Sequence, residues 1–93
     1  MPQDQDSATG TLTGRVTSNE APLPGATITA TSPQSGSRTT TSDENGNYNI
    51  MPLVPAGYSV RIEFQGMQTV TRPALVTAGG TARVDADLEL AQA

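Results

Sequence analysis

Residues 39–64 read TTTSDENGNYNIMPLVPAGYSVRIEF, and this stretch decides the fold class of the chain. A Thr-rich run is followed by the turn-forming residues 43–46, and a short apolar run is followed by residues 52–57, which contain two prolines and a glycine. From Tyr58 to Phe64 every second residue is apolar, which is the period of a β-strand with one buried face. The stretch therefore predicts two consecutive strand–turn–strand units.

The two-residue period recurs on both sides of this stretch, and no helical spacing is longer than one turn. Pro73 must lie at a strand end or a sheet edge because it has no N–H for a ladder. Residues 38–42 are rich in Thr, which favours an extended backbone but supplies little apolar surface, so we place them at a sheet edge or on a solvated face. The seven predicted strands cover residues 11–17, 26–31, 38–42, 48–50, 58–64, 67–72 (with a possible extension through 75 and 76) and 82–90. The chain is therefore predicted to be all-β, a seven-stranded Greek-key β-sandwich.

The 93 residues divide into a polar leader and one domain. Residues 1–9 contain nothing to bury and predict a flexible leader, whereas residues 10–91 carry all the strand patterns. Met1 directly precedes the polar leader, so we expect that it replaces a removed signal peptide. The apolar runs are far shorter than the ~20 residues needed to span a bilayer, which argues against direct membrane insertion.

The composition excludes several classes of function. The chain has no Cys and no His, which removes disulfides, thiolate nucleophiles, the commonest metal ligand and the commonest general base. The net charge is −4, and the five cationic residues are scattered arginines, so neither nucleic acid nor an anionic membrane is an expected partner. We assign no catalytic, cofactor-binding or metal-binding residue, and we do not expect an enzyme.

Several turn motifs occur in the order of a known family. The chain contains GRV, then PLPGATITA, TTTSDENGNYNI and LVPAGYSVRIEF, and then a Gly-Gly-Thr turn before an acidic alternating strand. Pro24 and Gly25 predict a turn into the second strand, and Asn45 and Gly46 predict a tight hairpin. Over residues 11–90 this order resembles the carboxypeptidase regulatory-like domain, a transthyretin-like β-sandwich.

The resemblance implies a non-catalytic module whose hosts differ. Such domains accompany metallocarboxypeptidases, occur in surface adhesins, and precede the plug of TonB-dependent outer-membrane receptors. The composition of this chain is most similar to the last group, which implies an extracytoplasmic domain on the periplasmic side of the outer membrane or at the cell surface. The implied partner is a protein, either the receptor's own plug and barrel or a periplasmic protein, and the implied role is docking or structural support. Strand addition at residues 38–42 is one mode of docking. A carbohydrate-binding module is the alternative.

Residues 43–47, DENGN, allow a calcium site or a turn. Oxygen ligands surround a glycine, but Gly46 comes two residues earlier than in the EF-hand loop, and Val54 stands where that loop has its bidentate Glu. Asn-Gly is also the strongest short signal for a hairpin turn. We favour the turn.

Three acidic residues alternate along the last predicted strand. Asp85, Asp87 and Glu89 share one face at the ~6.6–6.8 Å spacing of alternate strand residues, which is compatible with the paired carboxylates of glycosidases. The apolar face of the same strand explains the alternation equally well. We therefore interpret the row as a solvated outer face.

The few aromatic and thioether side chains are also candidates for binding. Tyr48, Tyr58 and Phe64 could line a groove for sugars or peptides, but they are in phase with apolar neighbours, which favours a place in the core. Met51 and Met67 are interpreted as gap fillers near turns.

Collagen-adhesin B type domains share the sandwich that this chain resembles, and they form an isopeptide crosslink through a Lys. This chain cannot form the crosslink because it has no Lys.

Overall fold

A computed structural model describes residues 9–33 and 36–91 of the chain. These residues form β-strands and no helix, so none of them belongs to a helix that could cross a membrane. The predicted flexible leader lies outside the described residues as far as Ala8. The strands are β1 (Gly10–Ser18), β2 (Ala21–Pro22), β3 (Thr27–Ser32), β4 (Gly36–Thr41), β5 (Asn47–Leu53), β6 (Ala56–Glu63), β7 (Val70–Val76), β8 (Thr81–Arg83) and β9 (Ala86–Asp87).

The strands form two sheets that pack face to face. One sheet has four antiparallel strands in the order β4-β3-β6-β7. The other has five strands around β1, which pairs antiparallel with β2 and β5 and parallel with β8 and β9. The predicted all-β sandwich is confirmed.

The core lies between the two inner faces, where the alternating apolar residues meet. Burying a Leu, Ile or Val side chain completely contributes roughly 1.5–3 kcal/mol, so a small number of such residues supports the domain. Among the residues that the structure describes, fifteen buried hydrophobic residues form one cluster. Its fully buried large members are Leu12, Val16, Ile28, Val60, Ile62, Val76 and Leu88.

Consecutive strands of the deciding stretch lie in opposite sheets. β4 belongs to the four-stranded sheet, β5 to the five-stranded sheet and β6 to the four-stranded sheet again. A turn forms at Asn45 and Gly46 as predicted, with a φ of 81° at Gly46, but it connects strands of different sheets. The predicted hairpin pairing of its two flanking strands is wrong, because β4 pairs with β3 and β5 pairs with β1.

The predicted closing strand over residues 82–90 is interrupted. It consists of β8 and β9, which are separated by Val84 and Asp85 and pair with β1 along one side only. The predicted alternation of buried and exposed residues is correct for Val84, Ala86 and Leu88, which are buried, but Leu90 is 69% exposed. Leu90 lies beyond the end of β1 and forms an isolated bridge with Met67, so no opposing sheet covers it.

Two further boundaries differ from the predictions. Residues 67–69 are not part of β7, which begins at Val70 and continues through Val76. Residues 18–25, which lie between the first two predicted strands, contain the short strand β2, which forms a hairpin with β1. Asn19 and Glu20 make this turn with φ values of 54° and 71°. Asn accepts that conformation readily, but Glu does not, so the residue types gave no clear turn signal.

Candidate functional site

The predicted turn at residues 43–47 is closed by hydrogen bonds of its own. Asp43 Oδ1 accepts hydrogen bonds from the backbone N–H groups of Asn45 and Asn47, each at 2.9 Å. Gly46 N donates to Asp43 O at 2.9 Å. These bonds confirm the turn interpretation, because the Asp43 carboxylate is already engaged by the backbone. Within residues 9–33 and 36–91, no group of three His, Cys, Asp or Glu side chains could hold a metal ion.

The acidic row is exposed as predicted, but two of its carboxylates bind the neighbouring strand. Asp85 Oδ1 accepts a hydrogen bond from the backbone N–H of Arg15 at 2.9 Å. Asp87 Oδ1 accepts one from Thr17 Oγ1 at 2.7 Å and one from Glu20 N at 3.3 Å. These two carboxylates therefore fasten the closing segment to β1 and to the strained turn after it. Nothing in the alternating pattern distinguishes such a role from simple solvation.

The two tyrosines belong to the core, as predicted. Tyr48 is 3% exposed and Tyr58 is 4% exposed, and Phe64 is half-buried against the core. Tyr48 Oη donates to Val84 O at 2.5 Å, and Tyr58 Oη donates to Val54 O at 2.7 Å. Their ring faces are therefore not available for stacking on a sugar.

Tyr48 has a strongly perturbed phenol. The pKa of Tyr48 is raised to about 12, first by burial and then by the negative charge of Asp85, while the positive charge of Arg83 acts in the opposite direction. Burial disfavours the phenolate, and the hydrogen bond to Val84 O requires the protonated form. The group is therefore a structural hydrogen-bond donor at neutral pH.

The two methionines near turns have different environments. Met67 is half-buried and packs against the core, which agrees with the gap-filler prediction. Met51 is 55% exposed, so the prediction is wrong for this residue. It lies on the outer side of β5, where Asn49 Nδ2 contacts its Sδ at 3.4 Å.

The outer edge of β4 carries unpaired backbone groups. In an antiparallel strand the N–H and C=O groups of one residue point to the same side, and those of the next residue point to the opposite side. Ser42 N donates to Ala26 O at 2.9 Å, and this register continues into β4, so its even-numbered residues bond to β3. No described strand pairs with the other side of β4. The backbone groups directed to that side belong to Ser37, Thr39 and Thr41.

One cross-strand row of the four-stranded sheet has an arginine at each end. The register places Arg38 opposite Ala30, Ala30 opposite Val60, and Val60 opposite Arg72. Ala30 and Val60 are fully buried, so the row lies on the inner face. Arg38 Nη1 reaches across the open side of the sandwich and donates to Pro52 O at 2.8 Å. Inward-directed charges on edge strands oppose uncontrolled pairing between sheets.

The two edges of this sheet differ in their ability to accept another strand. On β7 the odd-numbered residues face outward, and one of them is Pro73, which has no N–H to offer. This confirms the predicted edge position of Pro73. β4 contains no proline. The edge at β4 is therefore the better template for an additional strand.

A shallow depression lies on the outer face beside β7. It has a volume of about 590 Å³ and is lined by Pro33, Gly57, Pro73 and Leu75 among others. Leu75 is 70% exposed, and a side chain at Gly57 would meet nothing within 4 Å. No residue in its lining offers an acid, a base or a nucleophile in a catalytic arrangement.

Solved structures of bacterial proteins with different names, among them a pilin and a dioxygenase, share this fold. The TIE protein of Bacillus anthracis has a TM-score of 0.77 at 20% identity, over 89% of this chain and 17% of that chain. The minor pilin of Streptococcus agalactiae has a TM-score of 0.68 at 14% identity, over 92% and 46%. The 3-chlorocatechol 1,2-dioxygenase of Rhodococcus opacus has a TM-score of 0.64 at 17% identity, over 98% and 64%. At these identities the likeness concerns the fold alone.

The sequence itself matches a family model. No curated protein matches the chain. The model of the carboxypeptidase regulatory-like domain, however, matches residues 11–89, which include every strand described above except the first residue of β1. The chain belongs to the family of carboxypeptidase regulatory-like domains.

Proposed function

We propose that this domain is a non-catalytic docking module that acts outside the cytoplasm. The observation that carries the proposal is the free edge of β4, where the backbone groups of Ser37, Thr39 and Thr41 have no strand partner among the described residues. Strand addition to such an edge forms main-chain hydrogen bonds with little dependence on side chains. Each bond contributes about 0.5–1.5 kcal/mol net, so a few of them support a reversible association.

We propose further that the host is a TonB-dependent outer-membrane receptor. The domain would lie on the periplasmic side and dock with the receptor's own plug or with a periplasmic protein. The Lys-free, Thr-rich composition supports this host. The chain spans 17% of the Bacillus anthracis TIE protein and 46% of the Streptococcus agalactiae minor pilin, which supports a role as one module of a larger protein.

The test uses the full-length receptor that carries this domain. Deletion of residues 10–91 and the substitution Thr39→Pro, which removes an outward N–H from the β4 edge, are both expected to reduce partner association and ligand uptake. Thr71→Pro is the matched control, because Thr71 is an outward residue of β7, an edge that Pro73 already interrupts. Unchanged assembly, association and uptake after the deletion would refute the docking function.

Carbohydrate binding remains the second candidate because of a polar depression on the five-stranded sheet. It has a volume of about 650 Å³, and its lining includes Thr13, Asn47, Asn49 and Arg83. These side chains offer hydrogen-bond donors and acceptors but no aromatic platform. Titration of the domain with starch, xylan and pectin, followed by amide resonances, decides the matter. Shifts confined to these four residues would favour the carbohydrate module, and their absence with all three would reject it.

A further inference from the structure

Arg38 lies at the centre of the free edge and forms no ion pair with any acidic residue that the structure describes. Its side chain is exposed, and Nη1 donates a hydrogen bond to Pro52 O at 2.8 Å. Along residues 9–33 and 36–91, the ion pairs join Arg61 to Glu63 and Arg83 to Asp85. Arg38 therefore retains hydrogen-bond donors and a positive charge that no carboxylate in the described part of the chain balances.

A strand added to β4 would bring new side chains next to this charge. The side chains on the outer face of the added strand would lie beside the hydroxyl groups of Ser37, Thr39 and Thr41. These small polar groups discriminate little between uncharged neighbours. The inner-face residue of the added strand in register with Arg38 would lie about 4.5–5.5 Å away at the Cβ atoms. At that distance a carboxylate is stabilising, whereas Lys or Arg is destabilising.

We infer that the free edge of β4 selects an extended segment of a partner protein that carries a carboxylate in register with Arg38. The inference rests on the proposed docking function and names the chemistry of the partner. The backbone groups of β4 supply affinity, and the guanidinium supplies selectivity. In the absence of a partner, Arg38 donates a hydrogen bond to Pro52 O. This acceptor is neutral, so the inner side of the edge keeps the positive charge of the guanidinium.

A second copy of the chain fits this edge less well. If two β4 strands pair antiparallel around Thr39, each Arg38 faces Thr40 of the other copy, and the two arginines are diagonal neighbours at about 7–8 Å. Like charges at this separation oppose the pairing. A segment with a carboxylate at that position replaces this repulsion with attraction.

The opposite edge offers a matched comparison. Arg72 lies at the other end of the same inner-face row, where it is opposite Val60 as Arg38 is opposite Ala30. Pro73, however, removes an N–H from the edge of β7. Charge selection is therefore expected at Arg38 and not at Arg72.

The experiment uses three synthetic heptapeptides and the isotope-labelled chain. Each peptide is blocked at both ends and consists of threonines with Asp, Asn or Lys at the centre. Binding is followed by the amide shifts of Ser37, Thr39 and Thr41. The Asp peptide is expected to bind about two- to fivefold more tightly than the Asn peptide, and the Lys peptide more weakly than both.

Reversing the charge at position 38 tests the order of the peptide affinities, whatever the size of the differences between them. Arg38→Glu is expected to reverse the order, so that the Lys peptide binds more tightly than the Asp peptide. Arg72→Glu is expected to leave the original order unchanged. Thr39→Pro is expected to abolish binding of all three peptides.

The outcomes separate the inference from the docking function. Equal affinities for the three peptides, all lost in Thr39→Pro, would overturn charge selection while leaving edge docking intact. Absence of shifts with every peptide would overturn the inference at this edge, and the receptor experiment then decides the docking function independently. A Thr39→Pro-sensitive dimer in sedimentation would identify a second copy as the occupant and would also overturn it.

Discussion

The carboxylate of Asp85 accepts a hydrogen bond from the backbone N–H of Arg15, with 2.9 Å between the two heavy atoms. Arg15 is one of the β1 residues whose backbone groups face the closing segment, and Asp85 lies in the gap between β8 and β9. The side chain thus occupies the place where a main-chain carbonyl would continue the ladder. The interruption of the closing strand does not leave this N–H without a partner.

The first prediction concerns this bond. Asp85→Ala is expected to lower the free energy of unfolding by about 1–2 kcal/mol, because Arg15 N loses a charged acceptor. Urea unfolding measures the change. Glu89→Gln is the control and is expected to be neutral, since Glu89 is exposed. Equal stability of Asp85→Ala and the unmodified chain would show that water replaces the carboxylate without loss.

Gly14 is expected to be indispensable for the contact between β1 and the closing segment. A Cβ at this position would overlap Val84 O and would lie 2.7 Å from Tyr48 Oη. Gly14→Ala is therefore expected to cost about 1–3 kcal/mol through forced displacement of the backbone.

Gly57→Ala is the matched control for Gly14→Ala. An added Cβ there meets nothing within 4 Å, so the substitution is expected to be neutral or stabilising by roughly 0.4–1 kcal/mol. Thermal unfolding of the two variants compares them directly. A similar loss of stability in both variants would mean that backbone entropy, and not the close approach of Gly14 to Val84 O, determines the cost of Gly14→Ala.

Tyr48 is expected to make stability dependent on alkaline pH. Its folded-state pKa of about 12 lies above the value near 10 of an unfolded tyrosine, so folding favours the protonated phenol. The contribution is complete below about pH 10 and is lost as the pH rises from about 10 to about 12.

The variant Tyr48→Phe isolates this contribution. It is expected to be less stable by about 1–2 kcal/mol at pH 8, because Val84 O loses its donor. The difference in unfolding free energy from the unmodified chain should shrink between about pH 10 and about pH 12. A constant difference across that interval would contradict the raised pKa.

Asp43 is expected to stabilise its turn without calcium. Asp43→Ala removes the acceptor of two backbone N–H groups and should cost about 1–3 kcal/mol, equally in calcium and in EDTA. Urea unfolding in both buffers measures the cost. A calcium-dependent gain in stability for the unmodified chain, absent from Asp43→Ala, would revive the calcium interpretation of residues 43–47.

The sequence predictions were correct for features that depend on one residue or a few neighbouring residues, and they failed for pairing between strands that are distant in the sequence. Pro73 was placed at an edge because its missing N–H is a property of one residue. Val84, Ala86 and Leu88 were placed inside because alternation is visible over a few residues. The hairpin pairing of β4 with β5 was wrong because a turn specifies only how the chain reverses, and not which sheet it enters.

Composition and spacing alone determined that the chain is an all-β sandwich, where most of its turns fall, and that His, Cys and Lys chemistry is absent. The tertiary structure alone decided that β4, β5 and β6 alternate between sheets and that Arg38 and Arg72 end one row, and it resolved the two predicted positions of residues 38–42 by placing β4 at a sheet edge. The physical reason is that periodicity records which side of a strand is apolar. Strand partners depend on hydrogen bonds between distant residues, such as Arg15 and Asp85, which are 70 positions apart.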